Sequence, residues 1–338
     1  MRIAAALIGM LAAAGAWAGD PARDAERHLL VLKTSRAIVG ISPRLAGRIV
    51  VFRTPAGANL LAADPAYWAP DAKLPALAAS WDYPAVNGAV VWTGPQKEWW
   101  LHQDISEEWK KNAYNWPPDP WTEFAPFEVV KKTKTSAILR GPASPVTGLR
   151  LTKEVAISRD GKVAIKVSAE NTRKEESSWD LWSNTRVPSK ARVWVPVAGN
   201  IRLDHGSSTW STESVLDYEV RDGYFRFLDE EPLPGAARTA KAFLVPSRGL
   251  IAAFEGDRVF VKRFTPASRP SVHPDQGVVE LYRRSDRNPA GCLVEIEFHG
   301  ALTRLPPGGT MAIEESWEIV PYPGPSDPAS QAAFLRGL

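Results

Sequence analysis

Glu280 and Tyr282 stand two residues apart in the run Gly277-Val-Val-Glu-Leu-Tyr, with Val279 and Leu281 alternating between them. In an extended strand this spacing sends the carboxylate and the phenol to one face and the aliphatic pair to the other. Glu295 and Glu297 bear the same relation to Val294 and Ile296. A carboxylate on such a face can act as a general base when partial burial lifts its pKa toward the operating pH. It can equally be an outward strand residue paired with Arg283 or Lys262, and the sequence leaves both readings open.

A second group of residues suits binding. The chain carries fourteen tryptophans, and Trp68, Trp81, Trp92, Trp99, Trp100, Trp109, Trp116 and Trp121 fall within one stretch of about fifty residues. Sugars present apolar C–H faces beside hydroxyls, so aromatic platforms flanked by amide, carboxylate and guanidinium groups recognise them. Residues of that kind are Gln96, Trp99, Trp100, His102, Trp116 and Asp119 in this stretch, then Trp182 and Asn184. Arg48, Lys262, Glu280 and Tyr282 are expected on strands facing the same cleft. The alternative is that the indoles plug one end of a sandwich or bury against an envelope partner.

Other chemistries find little support. Phosphate-binding and dinucleotide glycine fingerprints, a nucleophile elbow and a zinc-binding His-Glu-x-x-His helix are all missing. His28, His102, His205, His273 and His299 are scattered singly, so no metal or cofactor is expected unless the fold gathers them. Cys292 is the single cysteine, so no internal disulfide forms and the fold rests on its apolar core. A formal charge of +3, with basic and acidic residues interspersed, predicts no nucleic-acid partner.

The elements that must position these groups read as strands. Alternating runs at 28–33, 47–53, 127–132, 136–140, 149–158 and 162–168 are followed by others at 215–220, 224–228, 250–254, 259–264, 277–282, 293–298 and 310–320. Asp160-Gly161, Asp222-Gly223 and Gly256-Asp257 are hairpin signals, because tight primed turns need residues that tolerate positive φ. A dozen strands without long amphipathic helices predict an all-β chain of large antiparallel sheets packed face to face. Helix is expected at 104–114 and 330–335. Residues 64–126, with Trp116-Pro-Pro-Asp-Pro120, read as an irregular segment too long to be an idle loop. The N- and C-terminal halves are expected to form two lobes of one sandwich.

Met1 and Arg2, the apolar run Ile3 to Ala14 and the triplet Ala16-Trp17-Ala18 read as a secretory signal peptide over 1–18. The run falls short of the roughly 20 residues that span a bilayer. The expectation is cleavage near Gly19, a single domain over 19–338 free of the membrane, and a periplasmic or secreted location.

Several segments carry a resemblance. Ile41-Ser-Pro-Arg-Leu-Ala-Gly-Arg-Ile-Val-Val-Phe with Asn59-Leu-Leu, the hairpin Leu149 to Asn171 and Trp317-Glu-Ile-Val-Pro resemble the galactose-mutarotase-like (aldose 1-epimerase-type) superfamily. Gly88-Ala-Val-Val-Trp-Thr-Gly-Pro-Gln96 with Trp116-Pro-Pro-Asp-Pro120 is similar to a bacterial group of uncharacterised exported proteins within it. The resemblance implies a β-supersandwich with a carbohydrate cleft on its concave sheet, and matches Glu280 to the epimerases' glutamate base. Where those enzymes carry a histidine, this chain has Trp179-Asp180-Leu-Trp182-Ser-Asn184. The general acid is therefore missing at that position, with His102 or His205 as possible loop-borne substitutes. The expected function is an exported carbohydrate-binding protein; the alternatives are a sugar epimerase, lyase or hydrolase using Glu280, and an envelope interaction protein.

Overall fold

A computed structural model describes residues 25–204, 214–229 and 237–338. The proposed signal segment and His205 lie outside the described residues. Strand accounts for 44% of the described residues and helix for 12%. The strands form two large sheets, one of eleven strands and one of ten. The expected hairpins are present: Leu149–Ile157 pairs antiparallel with Val163–Asn171, and Gly161 at φ +91° makes the turn. Asp222 and Gly223, at φ 51° and 80°, likewise join Tyr218–Arg221 to Tyr224–Phe227.

The two sheets pack face to face through apolar side chains. Phe52 of the eleven-stranded sheet meets Phe260 and Trp317 of the other at 5.3 Å each, and Phe298 stacks on Phe264 at 4.2 Å. Each sheet draws strands from both ends of the sequence, so the halves are interleaved and do not form separate lobes. Helices occupy Glu107–Lys111 and Pro328–Leu335, close to expectation, and also Pro120–Glu123. The C-terminal helix covers the outer side of the ten-stranded sheet, where Ala332 and Leu335 pack with Val259, Val261 and Trp194. Among the described residues, no helix is long and apolar enough to cross a membrane.

The tryptophan-rich segment holds more order than its sequence suggests. Ala89–Gly94 is a central strand of the eleven-stranded sheet, paired with Ser177–Arg186. Asp119 caps the helix at Pro120–Glu123 by accepting from the Trp121 N–H, and its other oxygen accepts from the Ser144 and Thr147 hydroxyls.

Burial pushes the Asp119 carboxyl up to about 6, against the pull of those hydrogen bonds. The folded protein therefore holds a proton between about pH 4 and 6 that the unfolded chain releases, and stability falls as pH rises through that window. Two pKa units correspond to about 3 kcal/mol. Asp119→Asn keeps the capping oxygen and cannot ionise. The difference in Tm between Asp119→Asn and wild type should therefore move in favour of the variant from pH 4 to pH 7. A flat or declining difference would show that the carboxyl is not strained by its burial.

Candidate functional site

The eleven-stranded sheet has an outer face built by cross-strand register. Ser177–Arg186 lies between Ala89–Gly94 and Leu293–His299, followed by Val279–Ser285 and Arg238–Leu244. Paired residues share a face, so the pairings Trp92 with Trp182 with His299 and Asn184 with Glu297 with Glu280 set polar side chains in rows. Arg186, Glu295, Tyr282 and Lys241 make the next row. The intervening residues Leu181, Ile296, Leu281 and Ala242 point into the sandwich core.

Glu280 and Tyr282 thus lie on the same outward face, as their alternation predicts. Glu280 is nevertheless only 1% exposed. Its Oε1 accepts from the Gly277 N–H at 2.8 Å, and its Oε2 lies 2.6 Å from Lys241 Nζ. Lys241 also reaches Glu297 Oε2 at 3.1 Å. Glu297 in turn accepts from Trp182 Nε1 at 3.0 Å and Asn184 Nδ2 at 3.2 Å. The imidazole of His299 joins Asp180 to this group, with Nδ1 3.1 Å from Asp180 Oδ1 and Nε2 3.3 Å from Glu280 Oε1.

Burial and charge act against each other here. Burial would push the Glu280 carboxyl up, but Lys241 and His299 outweigh it and hold the group well below the usual carboxylate range. Glu297 moves the other way: burial, with Glu295 and Glu280 nearby, raises it despite the pull of Lys241. Burial disfavours the charged imidazolium of His299, yet Asp180 and Glu280 raise it to about 9.

Aromatic rings cover this face. Trp182 lies 4.9 Å from Trp92, 5.9 Å from Trp99 and 4.7 Å from the His299 ring. Lys241 Nζ sits 4.7 Å over its centroid. Trp116 extends the cluster, 6.3 Å from Trp99 and 6.4 Å from Trp92. Gln96 bonds the Asn115 carbonyl beside it. Gln96, Trp116, Lys241 and Tyr282 are partly exposed and form the rim of the cluster. Five atoms in this region find no hydrogen-bond partner among the described residues: Asp180 Oδ2, Asn184 Oδ1, His299 Nε2 and both amide atoms of Gln276. Asp180 and Gln276 crowd Gly94, where an added Cβ would come within 2.5 Å of Asp180 Oδ2 and 2.7 Å of Gln276 Nε2.

The other candidate residues lie elsewhere. Lys262, expected in the cleft, stands between the sheets and bonds Ser183, Thr185 and Glu315. Arg48 is fully buried against Glu123, which also binds the indole N–H of Trp92, so it supports the aromatic cluster from behind. Trp100 is buried on Trp109 with its N–H on the Pro117 carbonyl, and Asp119 is the helix cap described above. His102 pairs with Glu98 at 2.8 Å and lines a separate cavity of about 460 Å³ with Arg173, Trp179 and His273. None of the Glu280–His299 cluster lines that cavity.

The histidine beside Glu280 is His299, which the sequence reading did not select. It comes from the strand next to the one where a histidine was sought, directly opposite Trp182. Its position two residues after Glu297 continues the alternation that marked Glu295 and Glu297, and this signal could have found it. Asp180 precedes Trp182 and Asn184 at the same period. Lys241 and Gln276 carry no comparable signal.

A family model described as Domain of unknown function (DUF4380) matches residues 28–320. The chain belongs to the DUF4380 family. No curated protein matches this DUF4380 chain in sequence. Solved structures do match in fold. A galactose mutarotase-like protein from Lactobacillus casei is 12% identical with a TM-score of 0.57, covering 86% of this chain and 100% of that one. A galactose mutarotase-like protein from Clostridium acetobutylicum is 13% identical with a TM-score of 0.51, covering 86% and 94%. A galactose mutarotase related enzyme from Lactobacillus acidophilus is 12% identical with a TM-score of 0.52, covering 86% and 97%. The DUF4380 chain therefore has the galactose mutarotase-like β-sandwich fold.

Proposed function

We propose that this DUF4380 protein is exported and binds a carbohydrate on the outer face of its eleven-stranded sheet. The observation that supports this most strongly is the set of unpartnered buried atoms on Asp180, Asn184 and Gln276 beside the indoles of Trp92, Trp99 and Trp182. Buried polar atoms need hydrogen-bond partners, and hydroxyls on an apolar ring supply both kinds of contact at once. The partly exposed rim of Gln96, Trp116, Lys241 and Tyr282 is the entry side. The segments 88–96 and 116–120 further support a place among exported bacterial proteins that share the Trp-Pro-Pro-Asp-Pro run.

Binding is favoured over catalysis by the state of Glu280. A base held ionised by an ammonium 2.6 Å away has little affinity for a substrate proton. The envelope-interaction reading needs a flat exposed aromatic patch, whereas Trp68, Trp92, Trp99, Trp100 and Trp109 are buried and Trp81 is the one indole of this stretch in the exposed class among the described residues. Calorimetric screening of mono- and oligosaccharides tests the proposal. At least one sugar should bind, and Trp116→Ala should weaken it by about tenfold or more, the loss of one aromatic platform. Absence of affinity for every sugar in a broad screen would reject the reading.

A further inference from the structure

We propose that Glu280, Glu297 and His299 form a binding site for one divalent first-row metal ion of the zinc or manganese type. The site needs no carbohydrate and stands apart from the proposed function. One ligand atom from each of the three residues lies within 4.8 Å of the other two, a separation that a single ion can span. All three side chains are buried and held on adjacent strands by backbone register.

A second observation, independent of the cluster itself, points to a ligand: His299 Nε2, on a fully buried residue, has no partner in hydrogen-bond geometry and faces Glu280 Oε1 at 3.3 Å. Its other nitrogen lies 3.1 Å from the Asp180 carboxylate. Metal-ligating histidines are oriented in this way, the second nitrogen donating to a carboxylate and the first turned to the ion.

Lys241 does not fill the place of the ion. Its ammonium takes Oε2 of both glutamates and leaves Oε1 of each, which accept from Gly277 and Asn184. Two carboxylates and one imidazole suit zinc or manganese, whereas calcium takes six to eight oxygens. Asp180 is a positioning residue, acting through His299.

The test uses the protein stripped with EDTA and then dialysed against zinc or manganese chloride, with uptake measured by elemental analysis and affinity by calorimetry. One equivalent should bind. Glu297→Gln, which keeps the side-chain shape, should lower affinity by more than about 100-fold, and Asp180→Asn by about 10- to 100-fold. His299→Ala should abolish binding; if that variant does not fold by circular dichroism, Glu297→Gln decides. Failure of the folded wild type to take up either metal at about 1 mM, or an unchanged affinity in Glu297→Gln, would overturn the site.

Discussion

Replacing Lys262 with methionine should destabilise the protein by about 3–5 kcal/mol, the usual result of removing one partner of a buried ion pair. The ammonium is fully buried and bonds Glu315, Ser183 and Thr185 at 2.9–3.0 Å, joining one sheet to the other. Methionine fills similar volume, so the cost is that of leaving Glu315 buried and uncompensated, with Ser183 as its remaining contact. The double variant Lys262→Met with Glu315→Leu should recover most of the loss, because an apolar pair of similar size replaces a buried ion pair at little cost. Denaturant unfolding of the wild type and the two variants checks this. A loss below 1 kcal/mol in Lys262→Met would mean that the ammonium is not the tie between the sheets.

The second large effect is expected at Glu280, on stability more than on ligand affinity. One oxygen accepts from a backbone N–H and the other from an ammonium, so the amide of Glu280→Gln must set a donor against one of them. Hydrogen bonds to charged groups contribute roughly 1.5–3 kcal/mol each, and the loss should fall in that range. Lys241 retains Glu297, which limits the damage. Both oxygens of the carboxylate are already paired within the protein, unlike the open atoms of Asp180 and Asn184, so sugar affinity of the folded variant should stay within a few-fold of wild type. If wild type instead turns over a sugar and Glu280→Gln loses 10²- to 10⁴-fold in rate while still binding it, the protein is an enzyme with Glu280 as its base.

The parts of the fold legible in the sequence were those with one wet and one dry face. Leu149–Ile157 and Val163–Asn171 alternate strictly between buried and more exposed residues and end at Gly161. Ala89–Gly94 is buried at every position, so no alternation marks it and its sequence reads as part of an irregular segment. The site was legible in halves for the same reason. Alternation places Glu280 with Tyr282 and Glu295 with Glu297, but which residues face each other across strands depends on register, and the pairing that sets His299 beside Trp182 joins residues more than a hundred positions apart. Lys262 misled because it shares a face with Phe260 and Phe264, which point into the sandwich, while the C-terminal helix covers Val259 and Val261. A lysine between two dry faces is rare, so in sequence its charge reads as a sign of solvent.

The most direct test is a crystal structure of the protein with the sugar that binds best in the screen. The ring should lie against the Trp116 side of the indole cluster, with hydroxyls within 3.2 Å of at least two of Asp180, Asn184 and Gln276, a hydrogen-bond distance. A sugar bound elsewhere, for instance in the cavity lined by His102 and Trp179, with Asp180 and Gln276 untouched, would contradict the account.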